Sequence, residues 1–164
     1  MPKRSNSFSK STPAPASETP RKHFHGKRVV IVDDHPLIRR GLERMIHSGD
    51  GFAVCGEASN AAEAMEVVTL TKPDLAIVDV GLPDEDGIEL TRRLLAKFPR
   101  MAILILSMHE EPEYAARALQ AGARGYMVKQ DAVEKIGSAL TQVLNGHRYL
   151  SPMIESALRE SART

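Results

Sequence analysis

The sequence predicts an α/β protein: a doubly wound, five-stranded parallel sheet with five helices on its two faces. Three observations predict it. Apolar runs of strand length recur, and most do not alternate with polar residues, which marks strands covered on both faces. Segments with apolar residues at helical spacing fall between them. The connections are short, and strand–helix alternation with right-handed crossovers builds one parallel sheet. At 164 residues and 42% apolar content, the chain has material for one core plus extensions. Aromatic residues are scarce, so Leu, Ile, Val, Ala and Met must fill that core.

Residues 1–26 precede the pattern. They are rich in Ser and Pro (Pro2, Pro13, Pro15, Pro20) and carry almost nothing apolar. Such a segment buries too little surface to offset its ordering entropy, so a disordered tail is expected. Its His23 and His25 read as solvated side chains. Its five basic residues against Glu18 give +4, and the remaining 17 basic and 20 acidic residues give −3. By charge, the part that folds is not a basic nucleic-acid binder.

The first strand is Arg28-Val29-Val30-Ile31-Val32, closed by Asp33 and Asp34. Pro36 suits the first turn of a helix, and Ile38, Leu42, Met45 and Ile46 follow at helical spacing until Gly49 and Gly51 stop it. Residues 52–58 form a weaker strand. Asn60, with Glu63 three residues on, begins a capping-box-like helix start. Residues 74–79 are the most telling strand, an apolar run that ends in a single acid, Asp79, followed at once by a turn with Gly81 and Pro83. A helix over about 86–98 follows, then a strand over 102–107. The next helix spans about 112–120 and ends at Gly122. A fifth strand over 125–129 precedes a helix capped by Asp131 and stopped by Gly146. Residues 148–164 are expected to be a linker or one short helix, with Ser151 as its cap and Pro152 at its first position.

The sequence has no apolar run of membrane-spanning length and no visible secretory signal. Its single cysteine, Cys55, is expected to be a small buried thiol in a reducing, cytoplasmic setting.

Chemistry-bearing residues gather at the carboxyl ends of the strands. Asp33 and Asp34 close the first, Asp79 the third, Ser107 the fourth and Lys129 the fifth. In a parallel sheet these share one edge, where open α/β sheets hold their ligands. Three carboxylates together repel unless a cation sits among them. Oxygen ligands from two or three acids suit Mg²⁺, and Lys129 and Ser107 supply a charge and a hydroxyl for a phosphoryl group. Asp79, central and single, is the candidate nucleophile; the Asp33–Asp34 pair is the candidate metal holder. Taken singly, each has a plainer explanation, such as a helix cap for Asp33 or Asp34. Asp84, Glu85 and Asp86 precede a helix, where dipole compensation explains them. His35 and His109 could act as acid, base or phosphate acceptor, but neither sits in a local ligand motif.

These residues give the chain a specific likeness. Val30-Ile31-Val32-Asp33-Asp34-His35-Pro36-Leu37-Ile38-Arg39-Arg40-Gly41, Asp79 through Pro83 with Asp86-Gly87, Leu106-Ser107-Met108-His109 and Ala121 through Lys129 resemble the receiver domain of bacterial two-component response regulators of the NarL/FixJ (LuxR-type) subfamily. The resemblance covers residues 27–147 and implies a flavodoxin-like (βα)5 fold. It implies that Asp79 accepts a phosphoryl group from a sensor histidine kinase. It also implies that Asp33, Asp34, Asp79 and the backbone carbonyl of Gly81 hold Mg²⁺, that Lys129 and Ser107 contact the phosphoryl group, and that Tyr126, a half-buried strand aromatic, is a rotamer switch. The output surface would be the fourth helix, fifth strand and fifth helix, with phosphorylation-dependent homodimerisation as one use of it. The chain would be a phosphoacceptor and not an enzyme, apart from slow autodephosphorylation. An aspartate-dependent phosphatase typically pairs its nucleophile with a second acid two residues on, and Gly81 stands there. Regulators of this subfamily usually continue into a helix-turn-helix DNA-binding domain. Residues 146–152 resemble the lead into it, so transcriptional output through a domain outside this sequence is expected, with a stand-alone receiver acting by protein binding or as a phosphate sink as the alternative.

Overall fold

The computed structural model describes residues 26–49 and 51–164. The tail expected over residues 1–26 therefore lies outside the described residues, apart from Gly26. The elements in chain order are β1 (Lys27–Val32), α1 (Pro36–Ser48), β2 (Phe52–Ala58), α2 (Ala61–Thr71), β3 (Leu75–Asp79), α3 (Gly87–Lys97), β4 (Ala102–Ser107), α4 (Pro112–Gln120), β5 (Gly125–Val128), α5 (Ala132–Leu144), β6 (Tyr149–Leu150) and α6 (Pro152–Ser161).

The sheet is parallel throughout, in the order β2-β1-β3-β4-β5-β6. Successive strand residues divide between two cores, as a period of two requires. Val30, Val32, Ala76, Val78, Ile103 and Ile105 face α2, α3 and α4. Val29, Ile31, Leu75, Ile77, Leu104 and Leu106 face α1 and α5. This double burial is why the runs do not alternate in sequence. The strand order reverses direction between β1 and β3, which opens a crevice at their carboxyl ends. Asp33 follows β1 and Asp79 ends β3, so the sheet delivers both acids to that crevice.

The predicted count of five strands and five helices is one short in each class. β6 pairs with β5 in parallel, Gly125 opposite Tyr149 and Tyr126 opposite Leu150. A two-residue strand carries no periodicity to read. α6 then packs against α4. Its Ile154 is fully buried in the core that also takes Ala115 and Ala118 of α4, and Leu150 and Leu158 pack against it. Ser151 is the residue before α6, as expected, but its side chain makes no cap bond. Its buried Oγ instead accepts the Val128 N–H at 3.0 Å, and its own N–H donates to the Tyr126 carbonyl at 3.1 Å. Ile154→Ala is expected to cost about 2–4 kcal/mol in urea unfolding, as for a buried aliphatic side chain. Ser151→Ala, which strands the buried Val128 N–H, is expected to cost about 1–3 kcal/mol. Changes within about 0.5 kcal/mol, normal for a surface segment, would show that α6 is not part of the cooperative unit.

Candidate functional site

β1 runs out into Asp33, which is 1% exposed, and Asp79 at the end of β3 is 4% exposed. Burying two carboxylates this close requires compensation. Lys129 provides it from the 3-10 turn (Lys129–Asp131) that follows β5. Its Nζ lies 2.9 Å from Asp33 Oδ2 and 3.2 Å from Asp79 Oδ2. The predicted fifth strand stops one residue short of Lys129, and the turn is what swings the side chain inward. Burial pulls the ammonium's pKa down, but the two carboxylates outweigh it and hold Lys129 above its ordinary value. Asp79 goes up: burial is the main cause and the Asp33 charge adds to it, against Lys129 and the Gly81 N–H. That N–H donates to Asp79 Oδ1 at 3.2 Å.

Beyond the Lys129 ammonium 2.9 Å from Asp33 Oδ2 and the His35 Nδ1 3.1 Å from Asp34 Oδ1, these two buried oxygens have no hydrogen-bond partner. Ligand atoms of Asp33, Asp34, His35 and Asp79 all fall within 4.8 Å of one another. Surplus acceptor oxygens converging on one point are what a hard divalent cation needs, so Asp33, Asp34 and Asp79 are the residues that could hold one.

His35 reaches the cluster too. Its Nδ1 is 2.8 Å from Asp33 Oδ1, 3.1 Å from Asp34 Oδ1 and 4.0 Å from Asp79 Oδ2. Its adjacency to the acid pair was the signal for this, but adjacency does not fix the rotamer. His109 lies in the β4–α4 loop instead, stacked on Tyr114 with ring centroids 4.0 Å apart.

Ser107 and Tyr126 meet through His109. The Ser107 Oγ accepts the His109 N–H at 3.0 Å, and the Tyr126 hydroxyl donates to the His109 carbonyl at 2.8 Å. Tyr126 is fully buried and not half-buried as expected, because α4 and the β4–α4 loop close over it. That burial raises its hydroxyl pKa. Gly81 is exposed and bridges Asp86 across the β3–α3 loop. Asp86, read from the sequence as a charge facing the helix dipole, caps α3, its Oδ1 accepting the Ile88 N–H. Asp84 does not serve that helix. It caps α2, accepting the Ala61 and Ala62 N–H groups at 2.8 and 3.1 Å. Cys55 is half-buried beside the core.

An acid crevice at a topological switch point, closed by the Lys129 side chain, is the polar centre of this α/β domain. The "Response regulator receiver domain" family matches residues 29–141. Over 131 residues the chain is 37% identical to response regulator GacA of Pseudomonas aeruginosa, covering 80% of this chain and 61% of that protein. It is 39% identical over 136 residues to the DNA-binding transcriptional activator DevR/DosR of Mycobacterium tuberculosis, covering 83% and 63%. A crystal structure of a LuxR-family two-component response regulator from Aurantimonas sp. superposes with a TM-score of 0.82 at 36% identity, covering 85% of this chain and 99% of that one. The chain belongs to the response regulator receiver family. It spans about three fifths of the length of the curated relatives it matches. Among the described residues no helix is long and apolar enough to cross a membrane.

Proposed function

We propose that Asp79 is the phosphoacceptor of this receiver. The carrying observation is its placement: a buried carboxylate at the switch point with the Lys129 ammonium at 3.2 Å. The carboxylate oxygen attacks the phosphorus of a phosphohistidine on a sensor kinase, the P–N bond breaks, and the imidazole leaves with that electron pair and takes up a proton. Asp33, Asp34, Asp79 and the Gly81 carbonyl would hold Mg²⁺, which would supply charge neutralisation for the phosphoryl oxygens. Lys129 pairs with the transferred group. Gly81 offers no side chain to position water, so autodephosphorylation is slow and the chain is no turnover enzyme.

Exposed Leu37 near the start of α1, Met108 just after β4 and Val133 near the start of α5 ring this edge. Apolar side chains of this size around a polar site suit an amphipathic helix of the kinase. Once phosphorylated, the site draws Ser107 inward. His109 moves with it, since Ser107 holds its N–H and Tyr126 its carbonyl. Tyr126 thereby acts as the switch, and α4 feels the change. β6 occupies the outer edge of β5 and α6 lies against α4, so a phosphorylation-dependent homodimer on this side uses α4, α6 and α5 and not a bare β5. Transcriptional output through a DNA-binding domain, in the cytoplasm, is the reading that the named relatives support; a stand-alone receiver is the alternative.

Phosphoramidate with Mg²⁺ tests the site. Intact mass should rise by one phosphoryl group, hydroxylamine should remove it as it does an acyl phosphate, and omitting Mg²⁺ should suppress uptake. A hydroxylamine-stable adduct, or none, would rule the assignment out.

A further inference from the structure

The opposite edge of the sheet carries a second site. Behind the amino ends of β1, β3 and β4 lies a concavity of about 550 Å³, within the size range of small-ligand sites. Half-buried Phe98 and Leu144 and buried Met101 give it an apolar wall. Its rim holds Lys27, Lys72, Lys97, Arg100 and Arg124 against one carboxylate, Asp74. Asp74 already accepts the Arg28 N–H at 2.8 Å. Among the described residues none of the five cations forms an ion pair; Lys97 contacts only the Phe98 ring and the Thr69 hydroxyl.

Helix polarity gives a plainer reason for cations here, since α1 to α5 all end at this edge and α2, α3 and α5 end on the concavity itself. Each helix terminus is worth about half a negative charge, or roughly −1.5 in all. The lining residues carry +4. Some two to three positive charges are left without a counterpart, on a fold whose residues 27–164 sum to −3. Lys72 adds an independent sign. It caps α2 at φ 47°, the one non-glycine among the described residues with positive φ. That conformation costs a side-chain-bearing residue about 1–2 kcal/mol, and glycine would avoid the cost at the loss of the ammonium. Backbone strain held beside a concave charged surface marks a candidate binding position. Residues 1–26, which precede Lys27, sum to +4. The tail's like charge also argues against the tail itself as occupant.

We propose that this concavity binds a small organic polyanion with a flat apolar group, of the nucleoside polyphosphate class. The phosphates meet Lys72, Arg100 and Arg124, and the base lies against the wall of Phe98 and Met101. Strands of five or six residues separate this site from Asp79 by about 17–20 Å, so it is distinct from the phosphoacceptor crevice.

Titrating the full ¹⁵N-labelled chain with ATP or GTP, with chelator present so that the acid crevice recruits no metal–phosphate complex, tests the proposal. Saturable shifts are expected at Lys72, Phe98, Met101 and Arg124. Adenosine alone and tripolyphosphate alone should each bind more weakly by about tenfold or more. Lys72→Glu combined with Arg124→Glu should weaken binding by at least about tenfold, the scale of two lost charge-assisted contacts. Phosphoryl uptake from phosphoramidate should be unchanged in that variant, which shows that it folds. Absence of shifts at millimolar nucleotide, shifts confined to the Asp79 edge, or tripolyphosphate binding as tightly as ATP would overturn the proposal, the last by reducing the site to an adventitious anion surface.

Discussion

Asp79→Asn is expected to abolish phosphoryl uptake and at the same time to stabilise the fold. The first effect is the loss of the nucleophile. The second follows from the same burial that positions it. In the wild type, Asp79 is 4% exposed, and its charge shares Lys129 with Asp33. Burial and Asp33 raise its pKa above the ordinary 3.8. A carboxyl whose pKa rises on folding favours the fold in its protonated form. That contribution is present below 3.8 and is lost as pH rises through the raised value. The amide removes the buried charge and leaves Lys129 its contact with Asp33. A gain on the order of 1 kcal/mol at neutral pH is expected. Chemical denaturation across pH should show the gap between variant and wild type closing as the pH falls towards the ordinary carboxylate value. Added Mg²⁺ should narrow the gap at neutral pH, because ligand binding stabilises the wild type by mass action. A variant less stable than the wild type at neutral pH would mean that the lysine fully compensates both acids.

Gly87→Ala is expected to be among the most damaging single methyl additions in the chain. A Cβ at Gly87 would lie 2.0 Å from the Asp79 carbonyl oxygen and 2.9 Å from the Val80 Cα, both backbone atoms. No rotamer change relieves such a contact. The start of α3 must move away from the β3 terminus, breaking the Gly87 N–H to Val80 carbonyl bond of 2.9 Å. We expect a loss of about 3 kcal/mol, at the upper end of overpacking costs. Phosphoryl uptake should fall with it, since Asp79 contacts the displaced start of α3 and Gly81 is bridged to Asp86 beside it. Gly41 and Gly137 provide the contrast. Both lie within helices, and a Cβ at either meets nothing within 4 Å. The same substitution there should stabilise by about 0.5–1 kcal/mol. Opposite signs from one chemical change, read by urea midpoint, would establish Gly87 as a close-approach position.

What the sequence disclosed and what it withheld divide along a physical line. Residues whose role is set by their own strand or helix were legible. Val29–Val32 and Leu75–Val78 announce double burial through their composition alone. Asp33, Asp79, Ser107 and Lys129 share an edge because parallel strands must end together. Asp86 stands at the start of the helix whose dipole its charge complements. Interactions between segments far apart in the chain were not legible. Asp84 reads as part of the same acidic helix start as Asp86, yet it caps α2, whose first residue lies 23 positions earlier. Ser151 reads as a local cap, yet its hydroxyl is committed to Val128, also 23 positions away. Tyr149 and Leu150 are too few to show a period, and the buried face of α6 rests chiefly on Ile154. The convergence of His35 on three acids depends on a side-chain torsion that spacing does not encode.

The β6 pairing has a practical consequence for where this domain can be cut. β5 contributes four residues, all buried, to the sheet. If the chain were divided at residue 147, the family-length boundary that the sequence indicates, the outer edge of β5 would lie bare, with its N–H and carbonyl groups unpaired and the cover of α6 gone. An uncovered strand edge recruits further strands. With residues 149–161 in place, the outermost strand on that side among the described residues is only two residues long, too short to template another. Residues 149–161 thus serve as a selvage for the sheet, and shortened forms of the domain ending before them should be prone to aggregate even with every phosphoryl-site residue in place.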